Sequence, residues 1–448
     1  MNAVPNHRLI EANVPRYTSY PTAPHFHAGI DAATVTGWLD TVGEDEAVSL
    51  YVHVPFCDRL CWFCACNTRQ TLRYEPVAEY LVALYREMEL VGGRIGKLAR
   101  IVSIHLGGGS PTMLRPADLR TLRQRLEANF TLAPDVGLSV EIDPNDMDDA
   151  RLDALAAIGL TRASLGIQDF DPRVQKAINR EQSFETTARV LEGLRARGVG
   201  SVNLDLLYGL PFQTVETLSA TIEQALSLRP DRLALFGYAH VPWFKKHQTM
   251  IDEQALPDLA ARLEQALTAA GLIRSAGYLS VGIDHFALPD DSLAMAARDG
   301  RLKRNFQGYT DDLCETLIGL GPSSISRFSQ GYAQNPPSTG GYRRMVEASG
   351  LATTRGRALT EQDHARGWVI ERLMCDFSFS VTEMRTRFGA TADAVLREAA
   401  LLTQASPHFS RVGDRFVIGE DGHLLARTIA AHFDAYLASG SARHSSAI

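Results

Sequence analysis

The sequence predicts an α/β protein built on a parallel sheet, followed by a mainly helical C-terminal domain. Three observations carry that expectation. Six short apolar or β-branched runs alternate with stretches of helical periodicity between residues 48 and 238. The alternation breaks past residue 290, and four of the six cysteines fall within ten residues directly after the first run.

The six runs are Val48–Val54, Ile101–Leu106, Gly137–Ile142, Ala163–Ile167, Val202–Leu207 and Asp231–Tyr238. Between them, apolar residues recur at helical spacing. Val77, Tyr80, Leu81, Leu84, Met88 and Val91 follow the first run; Leu119, Leu122 and Leu126 follow the second. Leu152, Leu155 and Ile158 follow the third, and Phe184, Ala188, Leu191 and Leu194 follow the fourth, stopping at Gly198, a residue suited to a helix C-terminus. Leu218, Ile222 and Leu226 follow the fifth. Strand–helix repetition of this kind makes either an open doubly wound sheet or a partial barrel, with the chemistry at the strand C-termini. Gly and Pro then accumulate from Gly319 to Gly341. A capping-box pattern at Thr360 and Asp363 opens a run of short helices, followed by a hairpin at Ser410–Ile418 and a final helix at His423–Leu437.

Composition narrows the function. Lys plus Arg is 45 and Asp plus Glu is 52, a net charge of −7, which argues against nucleic acid or anionic lipid as partners. The tail has the order of a winged-helix-like unit, but residues 360–448 hold 9 Arg, no Lys and 11 acids, 9 − 11 = −2. It lacks the basic face that phosphate contact requires, so a lid or packing role is expected. No stretch is apolar enough to cross a membrane, and Met1–Arg16 has no signal-peptide pattern; a cytoplasmic monomer is expected.

Cys57, Cys61 and Cys64 stand at spacings of four and three, with Cys66 two residues on; Cys314 and Cys375 are isolated. Structural zinc prefers two well-separated knuckles, and Cys64-x-Cys66 is too tight for comfortable joint chelation. A buried cluster of inert thiols is the bland alternative. The third reading is a [4Fe–4S] cluster held by three thiolates with one iron open, which the spacing favours. Beyond the cysteines, Gly107-Gly108-Gly109-Ser110 ends the second run, Glu141 the third and Gln168 the fourth, and Asp205 lies in the fifth. Each could be a turn or a helix cap. Together they place polar groups on one rim of the sheet. His53, His105, His240 and His285 lie near strand ends, where a hydrogen-bonded rim imidazole is the default.

The string C-x3-C-x2-C with Phe63 before its last cysteine closely resembles the motif of the radical SAM enzymes. Longer strings narrow it: P-R-Y-T-S-Y-P-T-A-P-H-F (Pro15–Phe26), Y-V-H-V-P-F-C (Tyr51–Cys57), D-L-L-Y-G-L-P (Asp205–Pro211), G-I-D-H-F (Gly282–Phe286), R-N-F-Q-G-Y-T (Arg304–Thr310) and Y-A-Q-N (Tyr332–Asn335). These resemble the oxygen-independent coproporphyrinogen III oxidases. The resemblance implies a partial (β/α)6 TIM-like radical SAM barrel over residues 46–345, an N-terminal extension over 1–45 and a helical domain over 346–448. It implies that Cys57, Cys61 and Cys64 ligate a [4Fe–4S] cluster whose open iron takes S-adenosylmethionine, and that a second S-adenosylmethionine binds nearby. Tyr51, Gly108, Glu141 and Ile325 match first-cofactor positions. Phe63, Gly109, Ser110, Gln168, Arg180, Asp205 and Ala239 match the second. Ser110 stands where threonine is common and keeps the hydroxyl.

The implied substrate is coproporphyrinogen III, and the implied partner is a low-potential electron donor such as flavodoxin or ferredoxin. Tyr51, Cys66 and Gln307 are the residues expected beside the reaction, Cys66 being equally readable as a structural thiol. Four propionates call for arginine, which pairs carboxylates bidentately; Arg301, Lys303 and Arg304 are the candidates, against a simple solvated basic turn. Two departures from the family pattern touch the substrate region: the acidic run Asp311-Asp312-Leu313-Cys314-Glu315, and Pro322 where a β-branched residue is usual. A related radical SAM methyltransferase or cyclopropanase would keep the cysteines and alter that region; a haem chaperone would lack Cys66 and N-F-Q-G-Y-T.

Overall fold

The computed structural model describes residues 13–97, 99–348 and 350–437, so most of the Met1–Arg16 segment and the last residues of the chain fall outside it. The chain divides into two compact units: Met1–Phe26 with Asp258–Leu313 and Leu359–Ile448, and His27–Pro257 with Cys314–Ala358.

The second of these carries the six strand–helix repeats: β1 (Ala47–Val54), α1 (Glu75–Gly92), β2 (Arg100–Gly108), α2 (Pro116–Asn129), β3 (Thr131–Ile142), α3 (Asp149–Ala157), β4 (Arg162–Gln168), α4 (Phe184–Ala196), β5 (Ser201–Tyr208), α5 (Val215–Ser227) and β6 (Arg232–Gly237). Strands β1 to β6 lie in sequence order and every neighbouring pair is parallel. Of the two architectures open to the sequence, this order belongs to the barrel type, since a doubly wound sheet reverses direction at a switch point. Alternation explains the two faces. In β4, Ala163, Leu165 and Ile167 are buried beneath the helices, while Arg162, Ser164, Gly166 and Gln168 are half-buried on the opposite face.

The helices follow the apolar spacing, and α3, α4 and α5 begin at side-chain caps. Asp148, Ser183 and Thr214 each accept a hydrogen bond from a first-turn backbone N–H of α3, α4 and α5. Gly198, at φ +83°, ends α4 in the left-handed conformation that a side chain would penalise. Leu84 and Met88 of α1 are fully buried, as are Val48, Val52 and Val54 of β1; each such side chain contributes about 1.5–3 kcal/mol.

The glycine- and proline-rich stretch after residue 313 does not read as sheet, yet it extends it. β7 (Thr316–Leu320) adds to the free edge of β1 in parallel, and β8 (Ile325–Phe328), β9 (Gly331–Gln334) and β10 (Arg355–Ala358) continue antiparallel, with helix α6 (Thr339–Glu347) before β10. Short strands separated by turn glycines carry too few alternations to be distinguished from loop.

The other unit contains helix Leu259–Ser275, the hairpin of Leu279–Val281 with His285–Ala287, the hairpin of Lys303–Asn305 with Gly308–Thr310, and the C-terminal elements. There, helix Glu361–Asp376 opens with the expected reciprocal Thr360–Asp363 capping box. Helices Val381–Phe388 and Thr391–Ala405 and a three-stranded sheet follow, including the hairpin Phe409–Val412 with Arg415–Ile418. Phe379, Phe409, Phe416 and Phe433 are all buried and form its aromatic core. The single final helix is a correction: residues 420–433 form two 3-10 turns around a short helix, Ala426–Ala430. Leu425, Ala426, Thr428, Ile429, Ala430, Ala431 and Phe433 are all buried, so tertiary packing on every side, not an amphipathic period, sets the path.

No helix among the described residues is long and apolar enough to cross a membrane.

Candidate active site

Register brings the strand ends together. Tyr51 pairs with His105, and Val54 with Gly108; Glu141 pairs with Ser164, and Gly166 with Asp205. The result is a polar row across the half-buried face. Tyr51 stacks on His105 with ring centroids 5.8 Å apart, and its hydroxyl meets His53 Nδ1 at 3.0 Å. His105 Nε2 lies 3.2 Å from Glu141 Oε1, and the Gly108 N–H donates to Glu141 Oε2 at 3.0 Å. Burial alone would raise the Glu141 carboxyl, but His105 and the Gly108 N–H prevail and lower it, so it is held as an anion. Further round, Ser164 Oγ and Asn203 Nδ2 donate to the Asp205 carboxylate at 2.8 and 2.7 Å.

Just past β1, residues 57–66 form a loop pinned from several sides. The Arg69 N–H donates to Pro55 O and the Thr71 N–H to Cys57 O; the Trp62 N–H donates to Ile178 O, and Asn179 Nδ2 to Leu60 O. From residues 245–248, Lys245 Nζ donates to Cys66 O at 2.8 Å and Gln248 Nε2 to Phe63 O at 2.8 Å, while His247 Nε2 meets Cys64 O at 2.7 Å. Phe63 packs against the apolar cluster that includes Val174, Ile178, Leu210 and Tyr238.

The glycine loop zips onto this segment: the Gly109 N–H donates to Val54 O and the Ser110 N–H to Phe56 O, both at 2.7 Å. Ser110 Oγ donates to Asp146 Oδ2 at 2.5 Å, and burial pushes Asp146 up to about 6. Close approach explains the glycines. Gly108 sits at φ +113°, and a Cβ on Gly109 would stand 2.5 Å from the backbone oxygen of Phe56. Gly109→Ala must therefore displace backbone, an overpacking cost of about 1–3 kcal/mol. We expect urea unfolding of Gly109→Ala to show a stability loss of about that size.

Gln168 ends β4 in the left-handed region at φ +72°, a strain typical of functional sites. Ala239 lies just past β6, its carbonyl accepting from Gln248; Ile325 opens β8. Gln307 is placed differently. It belongs to the other unit, at the turn of the Lys303–Thr310 hairpin, its N–H donating to Asn305 Oδ1 at 2.8 Å.

The donor set fits an iron–sulfur cluster. Cys57, Cys61 and Cys64 are free, half-buried thiols on one short loop, close enough to repel one another as thiolates. Among the described residues, no three His, Cys, Asp or Glu side chains converge on one point as a single ion would require. A cubane, whose irons sit at separate corners, needs no such convergence. Cys66 shares a hydrogen bond with Cys64, which lowers the Cys64 thiol and raises its own. S-adenosylmethionine fits too: Arg180 Nε and Asn203 Oδ1 are buried with no hydrogen-bond partner, a donor and an acceptor left for a polar ligand.

The chain is 47% identical over 444 residues to the oxygen-independent coproporphyrinogen III oxidase of Paracoccus denitrificans, covering 98% of each protein. This chain belongs to that oxidase family. It is also 39% identical over 438 residues to the oxygen-independent coproporphyrinogen III oxidase of Pseudomonas aeruginosa, covering 96% of this chain and 95% of that protein. Residues 51–225 match the Radical SAM superfamily model. The solved Escherichia coli coproporphyrinogen III oxidase, HemN, described as a radical SAM enzyme, superposes with a TM-score of 0.90 at 36% identity, covering 95% of this chain and all of that one. The family brings a [4Fe–4S] cluster and S-adenosylmethionine to this site.

Within this oxidase the four strand-end histidines are all partnered: His53 and His105 as above, His240 with Tyr238 and Glu253, and His285 with Asp284. The basic candidates separate. Arg301 pairs with Asp299 at 3.0 Å, and Lys303 with Glu371 at 3.6 Å. Arg304, far from a solvated turn, is buried over the Tyr309 ring at 4.4 Å. Glu315, from the acidic run, is exposed and pairs with Arg327 at 3.4 Å. Sequence reasoning missed Lys245, His247 and Gln248 as supports of the cysteine loop, and no local signal marks them, since they lie some 180 residues away; it also missed Asp143 and Asp146, which pair with Arg180 and Ser110.

Proposed function

We propose that this protein converts two propionate side chains of coproporphyrinogen III to vinyls without oxygen, giving protoporphyrinogen IX, each propionate losing a β-hydrogen, carbon dioxide and one electron. The observation that supports it best is likeness to an oxidase of that name along 98% of both chains. When bound, the cluster and S-adenosylmethionine supply a 5′-deoxyadenosyl radical for hydrogen abstraction.

Cys57, Cys61 and Cys64 hold the cluster. Tyr51, Gly108, Glu141 and Ile325 would hold the first S-adenosylmethionine, Glu141 supplying a carboxylate for its ammonium group. Phe63, Gly109, Ser110, Gln168, Arg180, Asp205 and Ala239 would hold a second, the buried Arg180 Nε–H supplying a donor for a polar group. Cys66 and Gln307 act on the substrate side. Arg304 meets a propionate charge. The protein works in the cytoplasm as a monomer, reduced by flavodoxin or ferredoxin.

The test is an anaerobic assay of the reconstituted protein with dithionite, S-adenosylmethionine and coproporphyrinogen III, products followed by mass spectrometry. Two vinyls and 5′-deoxyadenosine per turnover are expected. Cofactor cleavage with the tetrapyrrole untouched would remove the substrate assignment.

A further inference from the structure

Arg180 is placed against a sulfur as well as beside the cofactor positions. Its side chain is 10% exposed. Nη1 lies 2.8 Å from Asp143 Oδ2 and 3.7 Å from Cys61 Sγ, while Nη2 donates to Gly166 O at 2.6 Å and reaches Gln182 Oε1 at 3.4 Å. The anchoring carbonyl and carboxylate fix the plane of the guanidinium, so its direction toward the sulfur is set by the barrel. Asp143 is itself only 17% exposed, so neither charge is screened by bulk water.

We propose that Arg180 tunes the reduction potential of the [4Fe–4S] cluster through an N–H···S hydrogen bond to Cys61, and that Asp143 limits the effect as its counter-charge. The inference rests on Cys61 being a cluster ligand. Reduction adds one electron, and that negative charge spreads onto the ligating sulfurs. A hydrogen-bond donor with a positive charge stabilises the reduced form more than the oxidised one and raises the potential. At low local dielectric the effect is large for a group in contact. Asp143 opposes it, because a carboxylate at 2.8 Å from the guanidinium cancels most of its long-range field and leaves chiefly the local dipole. Arg180 is thereby a positioning and tuning residue for the cluster, in addition to its cofactor contact.

The proposal gives two substitutions opposite signs. Arg180→Gln removes the donor charge and moves the midpoint more negative. Asp143→Asn leaves the guanidinium without its counter-charge and moves it more positive. Arg180→Lys keeps the charge but loses the fixed fork, and falls between the native protein and Arg180→Gln.

The measurement is an anaerobic redox titration of the reconstituted full-length protein, following the reduced-cluster electron paramagnetic resonance signal, without S-adenosylmethionine and then with it. Without the cofactor, we expect a change of about tenfold in the reduction equilibrium for Arg180→Gln, about 59 mV for a one-electron couple. No shift in either variant, or shifts of the same sign, overturns the proposal. So does a shift that appears only when S-adenosylmethionine is present, since Arg180 would then act through the cofactor alone. Where Arg180→Gln takes up no iron, Arg180→Lys and Asp143→Asn decide the matter by the signs of their shifts. A native protein that shows no cluster signal fails the ligand reading itself, whereas a normal signal with unmoved midpoints fails only the tuning role.

Discussion

Cys61→Ala should yield a folded protein that assembles no [4Fe–4S] cluster and cleaves no S-adenosylmethionine. The fold has little at stake in the sulfur: Cys61 is half-buried, and its recorded side-chain partner is Arg180. We therefore expect a stability change under about 1 kcal/mol for the apoprotein. The cluster depends on it outright, because three thiolates on a loop held by Trp62, Asn179, Lys245 and Gln248 are the minimum that leaves one iron open. Cys66→Ala is the matched control. Its sulfur is tied to Cys64 by a hydrogen bond, two residues along, and the cluster should persist there while substrate turnover falls. Iron and sulfide content, with the charge-transfer absorption, separates the two variants. A full complement of four irons in Cys61→Ala would sink the ligand assignment, and an empty Cys66→Ala would promote Cys66 to a ligand.

The contrast between those two cysteines shows what a sequence reveals. Spacing along the chain is local, so Cys57, Cys61 and Cys64 and the glycines at the end of β2 are legible, as are short apolar strands and helices with one apolar stripe. The supports of the site are not local. Gln248 reaches Phe63 O across 185 residues and His247 reaches Cys64 O across 183, contacts that leave no periodicity to read. Strands β7 to β10 escaped for a different reason: they are four or five residues long, too short to show a period of two. Gln307 was expected by resemblance alone. Its place at a hairpin turn follows from the Asn305–Gly308 pairing, which the motif string does not encode.

A second large effect belongs to a residue no motif singled out. Glu87 of α1 is buried at 2% exposure, where its carboxylate accepts from the Gly321 N–H, Asn335 Nδ2 and the Tyr342 hydroxyl, each at 2.7 Å. Those three donors come from the turn before β8, from the end of β9 and from α6, so one side chain ties the sheet extension to the barrel. The Tyr80 hydroxyl, from the same helix, donates to His53 O at 2.7 Å, fixing the strand that leads to the cysteine loop. Glu87→Ala leaves three buried donors unsatisfied at about 1–3 kcal/mol apiece before relaxation, and we expect a net loss of about 3–5 kcal/mol. The pH dependence has a definite sign. Burial pushes the carboxyl from 4.5 up to about 7 against the pull of its three donors. The folded state thus binds this proton more tightly than the unfolded chain, and the associated stability is fully present below pH 4.5 and lost as pH rises through about 7. Glu87→Gln does not titrate. The stability gap between it and the native protein should therefore move in the variant's favour between pH 5 and pH 8, by an amount on the order of 3 kcal/mol. Urea unfolding at four pH values reads this directly, and a gap that stays constant would mean that Glu87 remains ionised in its buried site throughout.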